Sequence, residues 1–518
     1  MTTDRRTGAR RFLNAAVSKR ILAVISVIWL IAMLLPMFAL SFYAYPTHDD
    51  FPNVSLASAA WAHTGSLLST MEAAWEQAVR DYNTWQGTFV AMFSCAFQPL
   101  AISVDLFWIT PVSVLALLAL SAWYLVRQLG RCVLNADVST QLVLFAVLMT
   151  LLLQYAPGLR EMLYWQSAIQ YTLSLIALML LLGLLLRLHL PQSRVAYGFR
   201  SLAVLLLAFA LGGLPYPLAL GCTVGMALIA AWCLRKRSPA RPAAVLGFVG
   251  ILAALIIVVI APGNSVRQAR VGDSMNPVLA VIHSLVESLS CAADWLGPQT
   301  LGAALLMALL LWQPLKACRV RFRNPGWFSF FSFGVLAASY VPPIYATGVD
   351  SYKLDRILGS LYMLYALLLF LNLAYWLGWL AQRTRAWEGT PLRVWQLGVC
   401  AGLLAWGLFS SGAVMATPTL SAARSLLTGE AARYRSEILA RQEAITRAGS
   451  LEEAQSAVQP LSAQPNLLPL DQLVYQNTTN LPGVMHRFFR TQELCEQYGA
   501  GRIPEAEWQT LNAWSNEL

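Results

Sequence analysis

Residues 21–43 read ILAVISVIWLIAMLLPMFALSFY, an apolar stretch without a charged side chain. An α-helix rises 1.5 Å per residue, so about 20 apolar residues cross the hydrocarbon core of a bilayer. The stretch therefore predicts a membrane-spanning helix. The basic segment 1–20 precedes it, as in a signal peptide, but the apolar stretch is longer than a signal sequence needs and no small-residue cleavage site follows. We therefore expect this helix to stay as an anchor.

Similar apolar stretches recur along the chain. The 518 residues are 57% hydrophobic and 12% charged, against a charged content of ~25% in soluble proteins, and the mean hydropathy is +0.56. Lipid must therefore solvate most of the chain. The sequence predicts an all-α polytopic membrane bundle of about eleven helices. These spans are expected near 21–43, 105–126, 139–156, 168–186, 199–213, 216–234, 243–261, 297–315, 327–341, 357–380 and 394–411.

The basic residues predict the orientation of this bundle. Most of the 36 lysines and arginines lie in the segment 1–20 and in loops on the same side of the predicted spans. Short cytoplasmic loops carry such an excess, so we expect the N-terminus inside and the C-terminus outside. The net charge of +10 is then an orientation signal, and no nucleic-acid partner is expected. The predicted domains are a cytoplasmic N-terminus (1–20), a transmembrane domain (21–411) with an outer loop (44–104), and an extracytoplasmic C-terminal domain (412–518).

The outer loop begins with a group of ionisable residues. His48, Asp49 and Asp50 follow the first span directly. Where solvation is incomplete, adjacent carboxylates repel each other, so that one of them takes a raised pKa and can act as a general base. The same residues are also compatible with a solvated helix end, in which Asp50 or Asn53 caps the following helix. Both interpretations stay open.

An amphipathic helix is expected next, near residues 56–82. Apolar side chains recur there at helical spacing, with charged side chains on the other faces. Such a helix either lies in the outer interface of the bilayer or packs its apolar side on the bundle. The recurring apolar positions are Leu68, Met71, Trp75, Val79 and Tyr82.

Basic residues also occur on the outer face, where positive charge is otherwise rare. A guanidinium group binds two phosphate oxygens at once and lysine binds as a point charge, so an anionic ligand would explain these residues. Pairing with nearby acidic residues or with lipid phosphates is the alternative. Arg160 and Glu161 could likewise be a surface pair, and Tyr164 and Trp165 could belong to an aromatic belt. The candidate phosphate-binding residues are Arg160, Arg267, Arg270, Lys353 and Arg356.

An acidic pair combined with fixed cations suits one class of reaction. Inverting glycosyl transfer from a lipid-phosphate sugar needs a carboxylate that deprotonates the acceptor hydroxyl. It also needs cations that stabilise the phosphate leaving group. A lipid-linked donor would explain why the enzyme is embedded in a membrane.

The ordered set of outer-face motifs resembles the GT-C superfamily of integral-membrane glycosyltransferases, and more narrowly a bacterial family related to the O-antigen glucosyltransferases. The resemblance covers most of the chain in short motifs. Thr88 stands where relatives often carry an arginine, for which Arg80 is the candidate replacement. The motifs are Asp49-Asp50, Trp85-Gln86-Gly87, Glu161 with Tyr164-Trp165, Ala261-Pro262-Gly263-Asn264 with Arg267, Pro342-Pro343 leading to Arg356, the helix around 431–448, and Gln497-Tyr498-Gly499.

The resemblance implies a donor, an acceptor and a site. The donor is a polyprenyl-phosphate-linked sugar, the acceptor is an extracytoplasmic glycan or glycolipid, and the enzyme lies in the bacterial inner membrane with its site facing the periplasm. Asp49 or Asp50 becomes the base, and Arg267 and Arg356 lead the phosphate-binding candidates. Some members use a divalent cation, which the Asp pair with His48 could hold, although no metal is assigned. The substrate-binding candidates are His48, Trp85, Glu161, Tyr164, Trp165, Asn264 and Tyr345.

Two other functions remain compatible with the sequence. One is a transporter or flippase of lipid-linked sugars, although carriers usually place ionisable groups near the membrane midplane, and the predicted spans here are almost free of charge. The other is a non-catalytic scaffold for envelope assembly, which composition does not exclude. Substitution of Asp49 or Asp50 separates these alternatives, because only an enzyme should fold normally and lose turnover.

Overall fold

Helices form nearly all of the computed structural model, which describes residues 13–47, 49–272, 274–384, 392–410, 417–458, 460–469, 474–475 and 479–497. The long helices follow the charge-free apolar stretches and end where basic or turn residues begin. A two-stranded antiparallel ladder joins β1 (Val474–Tyr475) to β2 (Thr479–Asn480). In chain order the helices are α1 (Lys19–Ser41), α2 (Asp50–Asn53), α3 (Ser55–Thr64), α4 (Leu67–Thr84), α5 (Phe89–Ala96), α6 (Ile109–Leu129), α7 (Val138–Gln154), α8 (Leu159–Tyr164), α9 (Ile169–Arg187), α10 (Arg194–Gly212), α11 (Tyr216–Arg235), α12 (Arg241–Val259), α13 (Pro262–Val271), α14 (Pro277–Asp294), α15 (Pro298–Ala317), α16 (Pro325–Thr347), α17 (Asp355–Ala381), α18 (Val394–Ser410), α19 (Pro418–Leu427), α20 (Glu430–Arg447), α21 (Leu451–Ala457) and α22 (Leu481–Gln497).

The structure confirms the prediction of a helical protein with many membrane-spanning segments. Within the described part of the chain, ten helices are long and apolar enough to cross a membrane. They are α1, the 104–134 stretch that contains α6, α9 to α12, and α14 to α17. The predicted spans 139–156 and 394–411 correspond to the shorter apolar helices α7 and α18. Every span expected from the sequence therefore has a helix.

Helix α14 was not predicted as a span, and its contacts explain why it differs from the others. At its start, the Met275 N–H donates to the Tyr345 carbonyl near the end of α16 (2.8 Å). At its end, Trp295 packs on Tyr362 and Tyr365, in the first three turns of α17, with ring centroids 5.2 Å apart in each pair. The end of α16 and the start of α17 lie at the same end of the bundle, because a short loop joins them. One end of α14 contacts the former and the other end contacts the latter, so both ends of α14 lie in the same half of the bundle. We call that end, at which α1 leads into α2, the acidic end.

Helix α4 turns its apolar side outward. The side chains of Leu68 and Trp75 are 60% and 53% exposed, and Met71 and Val79 are also exposed. The inward side is small or polar, and consists of Thr70, Ala74, Gln77 and Ala78. Trp75 contacts the ring of Phe93 in α5, with centroids 6.1 Å apart. The exposure of Leu68, Met71 and Val79 nevertheless favours the interface alternative over packing of the whole apolar side on the bundle. An outward apolar side is stable where the surrounding solvent is lipid.

Tyr82 differs from the other apolar positions of α4. Its side chain is half-buried, and its hydroxyl donates to the Ile257 carbonyl of α12 at 2.9 Å. The end of α4 is therefore fixed to the bundle, whereas the apolar residues before it stay on the outside.

The C-terminal helices α19 to α22 pack on the acidic end of the bundle. The Thr419 hydroxyl of α19 donates to the Met33 carbonyl of α1 at 3.1 Å. Helix α22 packs on α2 and α3, and α20 packs on α21 and α22. Within the predicted C-terminal domain 412–518, residues 412–416 and 498–518 lie outside the described residues, as do Tyr498 and Gly499 of the predicted C-terminal motif.

Candidate functional site

Asp50 is the most deeply buried acidic residue of the predicted site. Its side chain is 0% exposed. The Thr47 N–H donates to Oδ2 at 3.0 Å, and the Ser167 N–H and hydroxyl donate to Oδ1 at 3.0 and 2.8 Å. Burial raises the pKa of Asp50 from 3.8 to about 7 although these hydrogen bonds lower it, and the charge of Asp49 adds to the increase. Asp50 is therefore a fixed carboxyl group that titrates near neutrality.

Asp49 occupies a different environment. It precedes α2 and is half-buried. Burial raises the pKa of its carboxyl group, whereas the positive charge of Arg356 lowers it. The solvated-helix-end alternative is wrong for Asp50 and Asn53. Asp50 accepts bonds from outside its helix, and Asn53 donates to the Ser167 hydroxyl at 3.0 Å.

The guanidinium group of Arg356 joins the acidic pair to two other predicted residues. Its Nη1 lies 3.3 Å from Oε2 of Glu161, and both side chains are about three-quarters buried. The guanidinium carbon also lies 5.5 Å from the centre of the Trp165 ring, within the range of a cation–π contact. Arg356 therefore lies against Glu161 and Trp165, and its charge also acts on Asp49. His48 lies outside the described residues.

A glycine permits this arrangement. Gly158 precedes α8 and has φ +67°, a conformation that strains residues with a Cβ. A Cβ atom at this position would lie 2.1 Å from the Asp355 carbonyl oxygen. The start of α17 can therefore approach α8 directly, which brings Arg356 to Glu161.

A second group of cations surrounds Trp85. The guanidinium carbons of Arg267 and Arg270 lie 5.0 and 5.9 Å from the centre of the Trp85 ring. Arg267 also donates to the side-chain oxygen of Gln86. The predicted residues Trp85, Arg267 and Arg270 therefore form one cluster, which we call the Trp85 cluster. It lies at the C-terminal end of α4, where Trp85 caps the helix.

Asn264, predicted to bind substrate, connects separate segments of the chain through its side chain. Its Oδ1 accepts the Gly87 N–H at 2.9 Å and the Tyr216 hydroxyl, and its Nδ2 donates to the Val258 carbonyl at 2.7 Å. A Cβ atom on Gly87 would lie 2.1 Å from the Val258 oxygen. The loop that carries Trp85 is thus fixed to the end of α12, and Asn264 serves to position it.

Two predicted cations have partners outside both clusters. Arg160 Nε donates to the Asn466 carbonyl of the C-terminal region at 2.7 Å. Lys353 Nζ lies 2.6 Å from Oδ1 of Asp350, and both side chains are mostly exposed. The structure therefore does not bring Arg160 and Lys353 to Asp49.

Two predicted aromatic residues also lie elsewhere. Tyr164 is 1% exposed, and its hydroxyl donates to the Met37 carbonyl of α1 at 2.9 Å. Tyr345 is 40% exposed and accepts the Met275 N–H through its carbonyl. Tyr164 is therefore a core residue, and Tyr345 contributes its backbone to the start of α14.

Sequence reasoning missed Ser167 and Asp81. Ser167 supplies two of the three donors to Asp50. It lies between two glutamines, Gln166 and Gln170, at the start of an otherwise apolar span, and these polar positions were the available signal. Asp81 is one of the charged residues away from the apolar side of α4. Burial raises the pKa of its carboxyl group, which accepts from Nε2 of Gln77 at 3.2 and 3.3 Å. Arg80, the candidate replacement for the arginine that relatives carry at position 88, donates to Oε1 of Gln77.

Several buried polar atoms around α5 have no hydrogen-bond partner among the residues that the structure describes. They come from the residue that precedes α5, from the segment after it, and from the 165–166 segment that contacts it. A buried polar atom of this kind is a candidate contact for a polar ligand or water. The atoms are Thr88 Oγ1, Gln98 Oε1, Trp165 Nε1 and Gln166 Oε1.

The described residues contain no group of three or more His, Cys, Asp or Glu side chains able to hold a metal ion. The carboxylates of the acidic end are instead held by protein donors and by Arg356.

The burial of Asp50 predicts an unusual dependence of stability on pH. A carboxyl group with a raised pKa holds its proton in the folded state after the unfolded state has lost it, so folding weakens as pH rises from about 4 to about 7. Three pKa units correspond to a loss on the order of 4 kcal/mol. Asp50→Asn should remove this loss while retaining an acceptor for Ser167. We expect its Tm to vary less between pH 4 and pH 8 than that of the wild type, as measured by thermal unfolding in detergent.

Asp350→Asn is the control for this experiment, because Asp350 is exposed. Its Tm should follow the wild-type profile. Parallel pH profiles for Asp50→Asn and the wild type would contradict the raised pKa.

The fold and the site together define a polytopic helical membrane protein with a buried acidic site at one end of its bundle. Comparison of the chain with protein-family models, with curated proteins and with solved structures finds no match.

Proposed function

We propose that the protein is a membrane glycosyltransferase of the GT-C type, which transfers a sugar from a polyprenyl-phosphate donor to an extracytoplasmic glycan or glycolipid with inversion. The observation that carries this proposal is the convergence of Asp49, Arg356, Glu161 and Trp165 beside the buried Asp50. These residues come from three separated parts of the chain. They combine a partly exposed carboxylate with a cation and an aromatic surface.

Asp49 is the proposed general base. It is half-buried, and Arg356 favours its ionised form, whereas the two oxygens of Asp50 are already held by Thr47 and Ser167. Asp49 accepts the proton of the acceptor hydroxyl as that oxygen attacks the anomeric carbon. The bond between the anomeric carbon and the phosphate oxygen breaks, and its electron pair leaves with the polyprenyl phosphate.

The Trp85 cluster is the proposed site for the donor phosphate. Arg267 and Arg270 supply two positive charges at the C-terminal end of α4, along whose outward apolar side a polyprenyl chain can stay in lipid. Trp85 precedes the N-terminal end of α5, whereas Asp49 and Asp50 act electrostatically on Cys95 near its C-terminal end. The helix spans ~12 Å for its eight residues. The sugar would lie between the cluster and the acidic pair, next to the orphaned polar atoms of Thr88 and Gln166.

The proposed location is the bacterial inner membrane, with the acidic end facing the periplasm. The basic loops at the other end of the bundle support this orientation, because cytoplasmic loops carry excess Lys and Arg. Polyprenyl-phosphate sugars would reach the site laterally, past α4.

The direct test is transfer by the purified protein in lipid nanodiscs. A panel of polyprenyl-phosphate sugars is supplied with envelope glycan or glycolipid acceptors, and released polyprenyl phosphate and extended acceptor are measured. Equal amounts of both products are expected for one donor. Movement of the intact donor across liposome membranes without release of polyprenyl phosphate would identify a transporter instead.

Arg267→Gln is expected to lower kcat/KM for the donor about tenfold or more, because a hydrogen bond to a charged group contributes about 1.5–3 kcal/mol. Lys353→Gln is the matched control, since Lys353 was also a predicted phosphate ligand but pairs with exposed Asp350. Its kcat/KM should stay within about twofold of the wild type, because exposed ion pairs contribute little. Equal losses of kcat/KM in the two variants would show that the Trp85 cluster does not bind the donor phosphate.

A further inference from the structure

The segment that carries the acidic pair is held on its N-terminal side by helix α20. Tyr45 is 3% exposed, and its hydroxyl donates to Oε1 of Gln442 at 2.8 Å. The guanidinium carbon of Arg435 lies 5.6 Å from the centre of the Tyr45 ring, and Nη1 of Arg435 donates to the Ala44 carbonyl at 3.2 Å. Three contacts from one helix therefore fix the chain just before the acidic pair.

The same segment is held on its C-terminal side by helix α22. Phe51 is 0% exposed, and its ring centroid lies 5.2 Å from that of Phe488 and 6.1 Å from that of Phe489. Nε2 of Gln492 donates to the Ser58 hydroxyl at 2.6 Å. The first residue after the acidic pair is thus enclosed by aromatic rings of the C-terminal region.

Helices α20 and α22 act on the segment together, because they also contact each other. The two helices pack, and Nδ1 of His486 lies 3.3 Å from the Ile445 carbonyl. Among the described residues between Tyr45 and Phe51, regular structure is limited to the beginning of α2, a helix of four residues. Helices of this length are not stable alone in water, so the position of Asp49 and Asp50 depends on these external contacts.

We infer that helices α20 and α22 form a clamp that positions the acidic pair, with Tyr45 and Phe488 as positioning residues. The catalytic part of this inference rests on the proposed function, because it concerns the orientation of the base toward the acceptor hydroxyl. The structural part, that α20 and α22 hold residues 44–54 in place, is independent of the proposed function. Loss of the clamp should loosen residues 44–54 without unfolding the bundle, since the core of the spans does not depend on these contacts.

Phe488→Ala tests the clamp by amide hydrogen exchange of the purified full-length protein. We expect exchange in peptides that cover residues 44–54 to become at least tenfold faster, while peptides of α7 and α9 keep their wild-type rates. Phe488→Leu retains an apolar side chain of similar length and should restore most of the protection. Phe330→Ala, which removes a 61% exposed aromatic side chain far from this segment, is the matched control. Unchanged exchange at 44–54 in Phe488→Ala would overturn the clamp.

The catalytic part has its own measurement. A displacement of about 1 Å at a reacting group can lower turnover about 100-fold, so Phe488→Ala should lower kcat 10- to 100-fold and change KM for the donor less than threefold. Tyr45→Phe removes only the hydrogen bond to Gln442 and should lower kcat less, which gives a second reading if Phe488→Ala does not fold. Faster exchange at 44–54 with unchanged kcat would overturn the positioning role. If the wild type transfers no sugar, the proposed function fails, while the exchange result still decides the clamp.

Discussion

Asp49→Asn is expected to lower the turnover number for sugar transfer about 10²–10⁴-fold, the usual contribution of a general base. The substitution keeps the size of the side chain and removes its negative charge together with its ability to accept a proton. KM for the donor should change little, because the proposed phosphate site is the Trp85 cluster and not the acidic pair. Released polyprenyl phosphate, measured at saturating donor, checks the prediction.

Glu443→Gln is the matched control for this substitution. Glu443 is an exposed carboxylate on the C-terminal helix α20 that pairs with Arg447 four residues later, and its replacement should leave turnover unchanged. Asp50→Asn provides the comparison within the pair. Full activity of Asp49→Asn combined with loss of activity in Asp50→Asn would assign the base to Asp50. Full activity of both variants would show that neither aspartate acts as the base.

The sequence was sufficient for the class of fold because the decisive signal is local. Each charge-free stretch of about 20 residues, such as 21–43, predicts its own helix without knowledge of its neighbours. Helix α14 was missed because serines and alanines on its inward side, Ser284 and Ser288 among them, interrupt the apolar pattern. The contacts at both of its ends, rather than its hydropathy, place it in one half of the bundle.

The site was predicted only in part, because its geometry depends on distant residues. Arg356 and Glu161 are 195 positions apart, so only tertiary structure shows that they meet. Trp165 and Tyr164 are adjacent and chemically similar, yet one faces Arg356 and the other lies in the core. Tyr164 is the last residue of α8 and Trp165 is extended, so their side chains point in different directions. A sequence motif does not show where the helix ends.

Gly158→Ala is expected to have the largest structural effect of any single methyl group added at the site. The new Cβ would occupy space 2.1 Å from the Asp355 carbonyl oxygen, so the start of α17 must move away from α8. Overpacking costs about 1–3 kcal/mol, and the positive φ adds about 1–2 kcal/mol. We expect a lower Tm together with a loss of turnover of at least tenfold, because Arg356 would move away from Asp49 and Glu161.

Gly65→Ala separates the two causes of this effect. Gly65 also has a positive φ, of +60°, but no atom lies within 4 Å of its Cβ position. Its substitution should therefore lower the Tm by the backbone strain alone and leave turnover close to that of the wild type. If the two variants lose the same stability and keep the same activity, the close approach at Gly158 does not position Arg356, and the grouping of Arg356 with Asp49 would have no catalytic role.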